Sequence, residues 1–449
     1  MHQVKKTIAF LLTAILLAGC GIAAQTEQQP ASDAILEWME EAPVLEYDVP
    51  VISPGVLVNQ IGYNLVSPKT VIVRGKRLPG EFHIVDALTG EVVFTGKLEK
   101  SEYAEEIGEY NSYGDFTAFE QEGTYYIECD IIGCSYEFEI KDGLYEELLE
   151  KALELLRRQR ELVVAADIVD ICKSLSVLLL SYELYTQVYE KEEGEIPPLM
   201  TELKSYVEEL LLLQEAGSGA VMEGETVYLT ETVWVSAVLA KFSYSYQKYD
   251  SVYATACLQA ADRAWRFTEK QGEETEAALR FFAAAELYRA TGQSRYYNAV
   301  TRLGENLSMD RNNRALVFGV LTYASTKRKV DMGLCEDLMA DIFAQAEQIA
   351  AKAQTDIYLV GNSVKKESLE DIFWDTVVLS TIDYIITNQE YATLIARHHN
   401  YLAGANETAD CYIPNAGGER ELLEGITTSR FNIAGYIMLL SEMMSHEEE

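Results

Sequence analysis

A chain of 449 residues, 48% of them hydrophobic, can bury a substantial core, and its length favours two or more domains. With 72 acidic against 36 basic side chains, the net charge of −36 excludes a nucleic-acid partner, which needs a basic face, and suits a soluble extracellular surface. The sequence has no phosphate-binding glycine loop, no Gly-x-Ser-x-Gly elbow and no His-Glu-x-x-His, and its seven cysteines follow no zinc spacing.

In chain order, residues 1–19 carry a basic patch (His2, Lys5, Lys6) and an apolar run from Ile8 to Leu17, the pattern of a signal peptide. The run is shorter than the roughly 20 residues a spanning helix needs. Leu17-Ala-Gly-Cys20 resembles a lipobox, so the expected mature chain begins at a lipidated Cys20 and is held by acyl chains to the outer face of a membrane. Residues 20–50, rich in Ala, Gln, Glu and Pro, read as a tether.

From 51 to 142 short runs of alternating apolar residues recur about every ten residues, among them Thr70–Val73, Phe82–Val85, Tyr125–Ile127 and Tyr136–Ile140. The spacing predicts a small β-sandwich. Cys129 and Cys134 flank the turn Asp130-Ile-Ile-Gly133, a placement that permits a disulfide across the hairpin; the later cysteines read as buried thiols.

From 143 to 449 the period becomes helical. Amphipathic runs are expected at Leu144–Arg157, Leu175–Tyr189, Leu199–Gln214, Val233–Tyr249, Tyr253–Thr268, Glu276–Thr291, Leu334–Ala353, Leu369–Thr387, Tyr391–Gly404 and Ser429–Met444. Such a series forms either an open solenoid or a closed α/α barrel, and the lack of a fixed repeat favours closure. Trp234 and Trp265 fall at core-like helical spacing and are expected inside.

Val56-Leu-Val-Asn-Gln-Ile-Gly-Tyr63, Ser67-Pro-Lys69, Asp115-Phe-Thr117 and Gly123-Thr-Tyr-Tyr-Ile127, followed by a helix at Tyr145, resemble the immunoglobulin-like domain that precedes the catalytic domain in many family 9 glycoside hydrolases. Leu178–Leu184, Ala283–Gly292 and Tyr401–Asn406 are similar, in order, to helices of that family's barrel. The resemblance implies a multidomain protein, a β-sandwich followed by an all-α (α/α)6 barrel. It also implies hydrolysis of β-1,4-glucan with inversion, in which one carboxylate deprotonates water and a second carboxylic acid protonates the departing oxygen.

By that resemblance the water-holding pair falls on Asp167 and Asp170, which keep the family's i, i+3 spacing but lack its Trp, Ala-Gly and Tyr neighbours. Two aspartates at the start of a helix are otherwise solvated or capping groups. The expected position of the acid holds Ile426; Glu424, two residues earlier, is the substitute, with Glu421 more distant. The family's His-Arg segment has no histidine counterpart, and His398 and His399 read as structural or surface residues. Tyr228, Tyr358 and Tyr412, in loop-like surroundings, are candidates to stack on sugar rings. No cofactor is implied and no metal ligands are assigned, although so acidic a chain is compatible with structural calcium. Three readings follow: a cell-surface hydrolase of β-glucan, an inactive descendant that binds glycan or protein, and an unrelated helical solenoid.

Overall fold

The structure is a computed structural model that describes residues 55–105, 108–160, 168–192, 194–272, 275–305, 307, 313–363, 368–413 and 429–446. The expected signal peptide, Cys20 and the tether lie outside the described residues.

The first domain follows from period-two patterning. Its strands are β1 (Val56–Leu57), β2 (Tyr63–Asn64), β3 (Thr70–Gly75), β4 (Glu81–Asp86), β5 (Val92–Ala104), β6 (Glu109–Asp115), β7 (Gly123–Cys129), β8 (Gly133–Cys134) and β9 (Phe138–Lys141). They hydrogen-bond in the order β1-β3-β6-β5-β4-β7-β9-β2, with β8 on β7. The long β5 passes between two layers: up to Lys97 it pairs with β4, and from Leu98 it pairs with β6, with a register shift between Glu99 and Glu102. Alternate residues, including Val71, Val73, Phe82, Ile84, Ile127, Phe138 and Ile140, point inward to one apolar core. Phe82 lies across two strands, and a Cβ at Gly96 or Gly114 would sit 2.2 or 2.3 Å from its ring, so only glycine fits beneath it.

Cys129 and Cys134 are both buried and are not joined in a disulfide. The register opposes Cys134 to Glu128 and Cys129 to Gly133. Opposed residues share a face and successive residues alternate, so the two cysteines leave opposite faces of the hairpin and the disulfide that the spacing permits is not formed. Burial, reinforced by Cys134, pushes the Cys129 thiol well above the usual range.

The helices are α1 (Leu144–Arg160), α2 (Ile168–Leu184), α3 (Thr186–Tyr189), α4 (Pro198–Leu212), α5 (Leu229–Tyr246), α6 (Ser251–Gln271), α7 (Ala277–Thr291), α8 (Ser294–Gly304), α9 (Arg314–Ser325), α10 (Met332–Thr355), α11 (Leu369–Ile386), α12 (Gln389–Leu402) and α13 (Arg430–Ser445). A short hairpin, β10 (Val221–Glu223) with β11 (Thr226–Tyr228), precedes α5.

Burial sorts these helices into two rings. Helices α2, α5, α7, α9, α11 and α13 are apolar on nearly every side, and neighbours in that list touch, with α13 closing back on α2. Phe318 of α9 against Trp374 of α11, ring centroids 5.6 Å apart, joins the remaining pair. Helices α1, α4, α6, α8, α10 and α12 each bury a single stripe against that inner ring. This is a closed (α/α)6 barrel rather than a solenoid.

Two barrel helices, α8 and α9, were not among the expected runs. The second is apolar all round and so shows no amphipathic period. Its Gly319 also reads as a breaker, yet a Cβ there would lie 2.8 Å from the Phe281 ring and 2.9 Å from the Phe282 backbone. That glycine lets α9 approach α7 closely.

Candidate active site

Contacts among the inner helices show that all six run parallel, so their N-termini meet at one mouth. There Arg430, the first residue of α13, faces Asp170 in the first turn of α2, with Nη1 3.7 Å from Oδ2. Arg430 also donates to the carbonyl of Gln159 at 3.2 Å. Arg314, opening α9, pairs with Glu370 and Asp371 in the first turn of α11 and lies 4.4 Å over the ring of Phe431. Ser368 and Asp371 form a reciprocal capping box that starts α11. Caps of Asn313 on α9 and Ser429 on α13 add to this rim, and Asn313 bonds to Glu276 in front of α7. An acidic residue in a first turn is favoured by the helix dipole, and six aligned N-termini make this mouth a good place for carboxylates.

Asp170 therefore belongs to the first turn of an inner helix that begins at Ile168, seven residues before the apolar run that announced it. Its side chain is 40% exposed. Asp167, Glu421, Glu424 and Ile426 lie outside the described residues.

The three tyrosines all occur on connections that enter inner helices. Tyr228 is half-buried at the start of α5, its hydroxyl donating to Glu223 at 3.2 Å. Tyr412 is half-buried after α12, 3.1 Å from the hydroxyl of Thr408. Tyr358 departs from expectation: it is 8% exposed, its ring is covered by Tyr401 at 6.2 Å, and it offers no free face to a sugar. Trp234 and Trp265 are core residues, as their spacing implied, and Trp374 joins them.

The seam between the domains explains the motifs that carried the resemblance. Asn59 Oδ1 accepts from the amides of Ile61 and Gly62, while its Nδ2 donates to Asn400 Oδ1 at 3.1 Å and lies 3.3 Å from His399 Nδ1. Gln60 donates from its backbone to Ala403 O and from its side chain to Ala409 O. Lys69 buries its ammonium against the carbonyls of Leu65, Ser67 and Thr117, and burial pulls it down to about 8. His398 and His399 are wholly buried, and His399 stacks on Tyr436 with planes 3° apart. Burial lowers both imidazoles to about 4, so they are neutral structural groups and not surface residues.

The other end of the barrel holds charge of a different kind. Lys241 of α5 lies 2.9 Å from Glu183 of α2 and 3.6 Å from Glu286 of α7; Arg289 bonds to Glu183 and stacks on Tyr244. Tyr244 and Thr322 donate to Glu286 at 2.7 and 2.6 Å. Two cations and two carboxylates, with Thr322, thus link the C-terminal parts of four inner helices. Sequence reading missed this network, because Glu, Lys and Arg in amphipathic runs ordinarily mark solvated faces.

Residues 52–133 match the cellulase N-terminal ig-like domain, and residues 224–421 match glycosyl hydrolase family 9. The chain is 22% identical over 481 residues to the xyloglucan-specific endo-β-1,4-glucanase BoGH9A of Bacteroides ovatus, covering 80% of each protein. It is 21% identical over 467 residues to a cellodextrinase of Butyrivibrio fibrisolvens, covering 81% of this chain and 85% of that one. A metagenome-derived glycoside hydrolase family 9 endoglucanase shares the fold, with a TM-score of 0.73 at 19% identity over 86% of this chain and 98% of that chain. The two matches stand in order along the chain, and the barrel behind its N-terminal sandwich has the fold of a family 9 endoglucanase, so the chain is similar to glycosyl hydrolase family 9 over residues 224–421 and to the ig-like domain of cellulases over residues 52–133.

Proposed function

We propose that this protein hydrolyses the glycosidic bonds of a β-1,4-glucan with inversion, at the mouth where the inner-helix N-termini meet. The observation that carries this reading is the approach of Asp170 to Arg430. It joins the start of α2, which follows Asp167, to the start of α13, which follows the segment bearing Glu424. Asp167 and Asp170 hold and deprotonate the attacking water, and Glu424 protonates the departing oxygen. Inversion needs the two functions about 6.5–9.5 Å apart, so that water fits between base and sugar. Tyr228 and Tyr412 flank the sugar. The two curated relatives, one a xyloglucan-specific glucanase and the other a cellodextrinase, support a substrate built on β-1,4-linked glucose.

The test is release of reducing sugar from xyloglucan, mixed-linkage β-glucan and carboxymethylcellulose. Asp170→Asn and Glu424→Gln are each expected to lower kcat at least about a hundredfold, the range of a lost general acid or base. The first product detected by NMR should be the α-anomer. A second reading rests on the same ion pair: a carboxylate engaged by Arg430 suits a glycan-binding descendant without catalysis. That reading stands if the parent protein releases no sugar but is still retarded by glucan in an affinity gel.

The protein is placed outside the cytoplasm in this reading, anchored through Cys20. Cells fed labelled palmitate should incorporate it into the parent chain and not into Cys20→Ser. Equal labelling of both would remove the anchor from the account.

A further inference from the structure

At the end of the barrel away from the glycan mouth, Asp383 in the last turn of α11 meets Glu442 and His446 at the end of α13. Each offers one ligand atom, and the three atoms lie within 4.8 Å of one another. We propose that Asp383, Glu442 and His446 bind one divalent transition-metal ion of the zinc type, which ties the last helix to α11.

The geometry of the three groups supports coordination over a simple ion pair. His446 Nε2 lies 3.1 Å from Asp383 Oδ2 and 3.1 Å from Glu442 Oε1. One N–H cannot point along both lines, whereas a lone pair on Nε2 and two carboxylate oxygens can converge on a single ion. Metal–ligand bonds of about 2.0–2.2 Å in a tetrahedron give ligand–ligand edges of about 3.3–3.6 Å, within a few tenths of an ångström of these separations. Glu442 and His446 are four residues apart, which puts both on one helical face.

Charge and burial point the same way. The side chains of Asp383 and Glu442 are only 4% and 1% exposed, and Glu442 Oε2 accepts no hydrogen bond. A single imidazolium would leave one negative charge unbalanced in a nearly dry site, but a divalent ion neutralises both carboxylates and takes a neutral imidazole. Asp383 is aimed into the site from behind, since its Oδ1 accepts the amide of Asn388 at 2.8 Å. Such outer partners are what orient a metal-binding carboxylate. The His446 side chain is 35% exposed, so the site has a path to solvent and a fourth position for water.

Nitrogen among only three protein ligands selects a zinc-like ion over calcium, which takes six to eight oxygens. Arg430 and Glu442 are separated by about 18 Å along α13, at 1.5 Å per residue. The ion is therefore remote from the glycan and holds the fold.

The test uses the full-length chain, stripped with chelator and titrated with Zn2+ by calorimetry, with Ca2+ as comparison. One Zn2+ per chain is expected, and at a hundredfold excess over Kd the Tm should rise by about 3–5 °C. His446→Ala should lose the zinc-dependent rise, measured against its own chelator-state Tm; Glu442→Gln should weaken binding at least tenfold. Co2+ should give tetrahedral d–d bands without a thiolate charge-transfer band. No zinc uptake by the parent, unchanged affinity in His446→Ala, or a thiolate band from the cysteines would each overturn the assignment. None of these readouts depends on glycan cleavage.

Discussion

Glu183→Gln is expected to lower the unfolding free energy by about 3–5 kcal/mol, measured as a shift in the urea midpoint, because it leaves buried cations uncompensated. Glu183 is 13% exposed and faces Lys241, 4% exposed, and Arg289, 18% exposed. Burial by itself would raise its carboxyl, yet Lys241 and Arg289 outweigh burial and hold it at about 2. The depression from 4.5 is a second measure of the coupling, about 3 kcal/mol at 1.36 kcal/mol per pH unit. Arg289 stays bound to Tyr244 and Ser325 in the variant, so the penalty falls mainly on Lys241. Adding Lys241→Met to Glu183→Gln should therefore recover part of the loss. A single-variant loss under about 1 kcal/mol would mean that the network is solvated and does not link the helices at that end.

Acidification from pH 6.5 to pH 4, with chelator present, should remove about 4 kcal/mol of stability through groups buried in the barrel. His398 and His399 have folded values near 4 against 6.5 unfolded. Their contribution is present in full above 6.5 and is lost as pH falls toward 4, about 3 kcal/mol for each. Glu442 opposes this. Burial raises it to about 7 despite the nearby His446, so its contribution grows as pH falls from 7 toward 4.5 and returns about 2 kcal/mol. Glu183, depressed to about 2, contributes fully above 4.5 and begins to fail just below it. Urea midpoints taken at half-unit intervals test the sum. A flat profile from 6.5 to 4 would mean that the two histidines take up protons in the folded state without penalty.

The mouth and the opposite end divide the work of the fold. Buried charges are shared where the inner-helix C-termini meet, and chemistry is proposed where the N-termini meet and carboxylates are favoured. The immunoglobulin-like domain contributes by gripping the exit of α12 through Asn59 and Gln60. Arg430 and Arg314, which shape the mouth, escaped sequence reading because an arginine at a helix start carries no pattern of its own.

Several features were determined by the sequence alone. Alternation in Thr70–Val73 or Phe82–Val85 specifies strands, because one sheet face must be apolar and the other need not be. Amphipathic outer helices such as α4 and α6 are legible for the same reason at a period of 3.6. The ordered motifs, Asn59-Gln-Ile-Gly-Tyr63 among them, carried the resemblance, and the structure shows part of the reason: the side chains of Asn59 and Gln60 bond across the domain seam, while Tyr63 and Lys69 bond within the first domain. Tertiary structure alone decided the rest. Inner helices are apolar on every side, so α9 had no period to read and closure of the barrel could not be derived from any one helix. Sequence spacing placed Cys129 near Cys134, but only the strand register sends them to opposite faces. Tyr358 looked like a loop ring and is covered by Tyr401, and the convergence of Asp383 with Glu442 and His446 joins residues about sixty positions apart, which packing brings together and local chain chemistry does not encode.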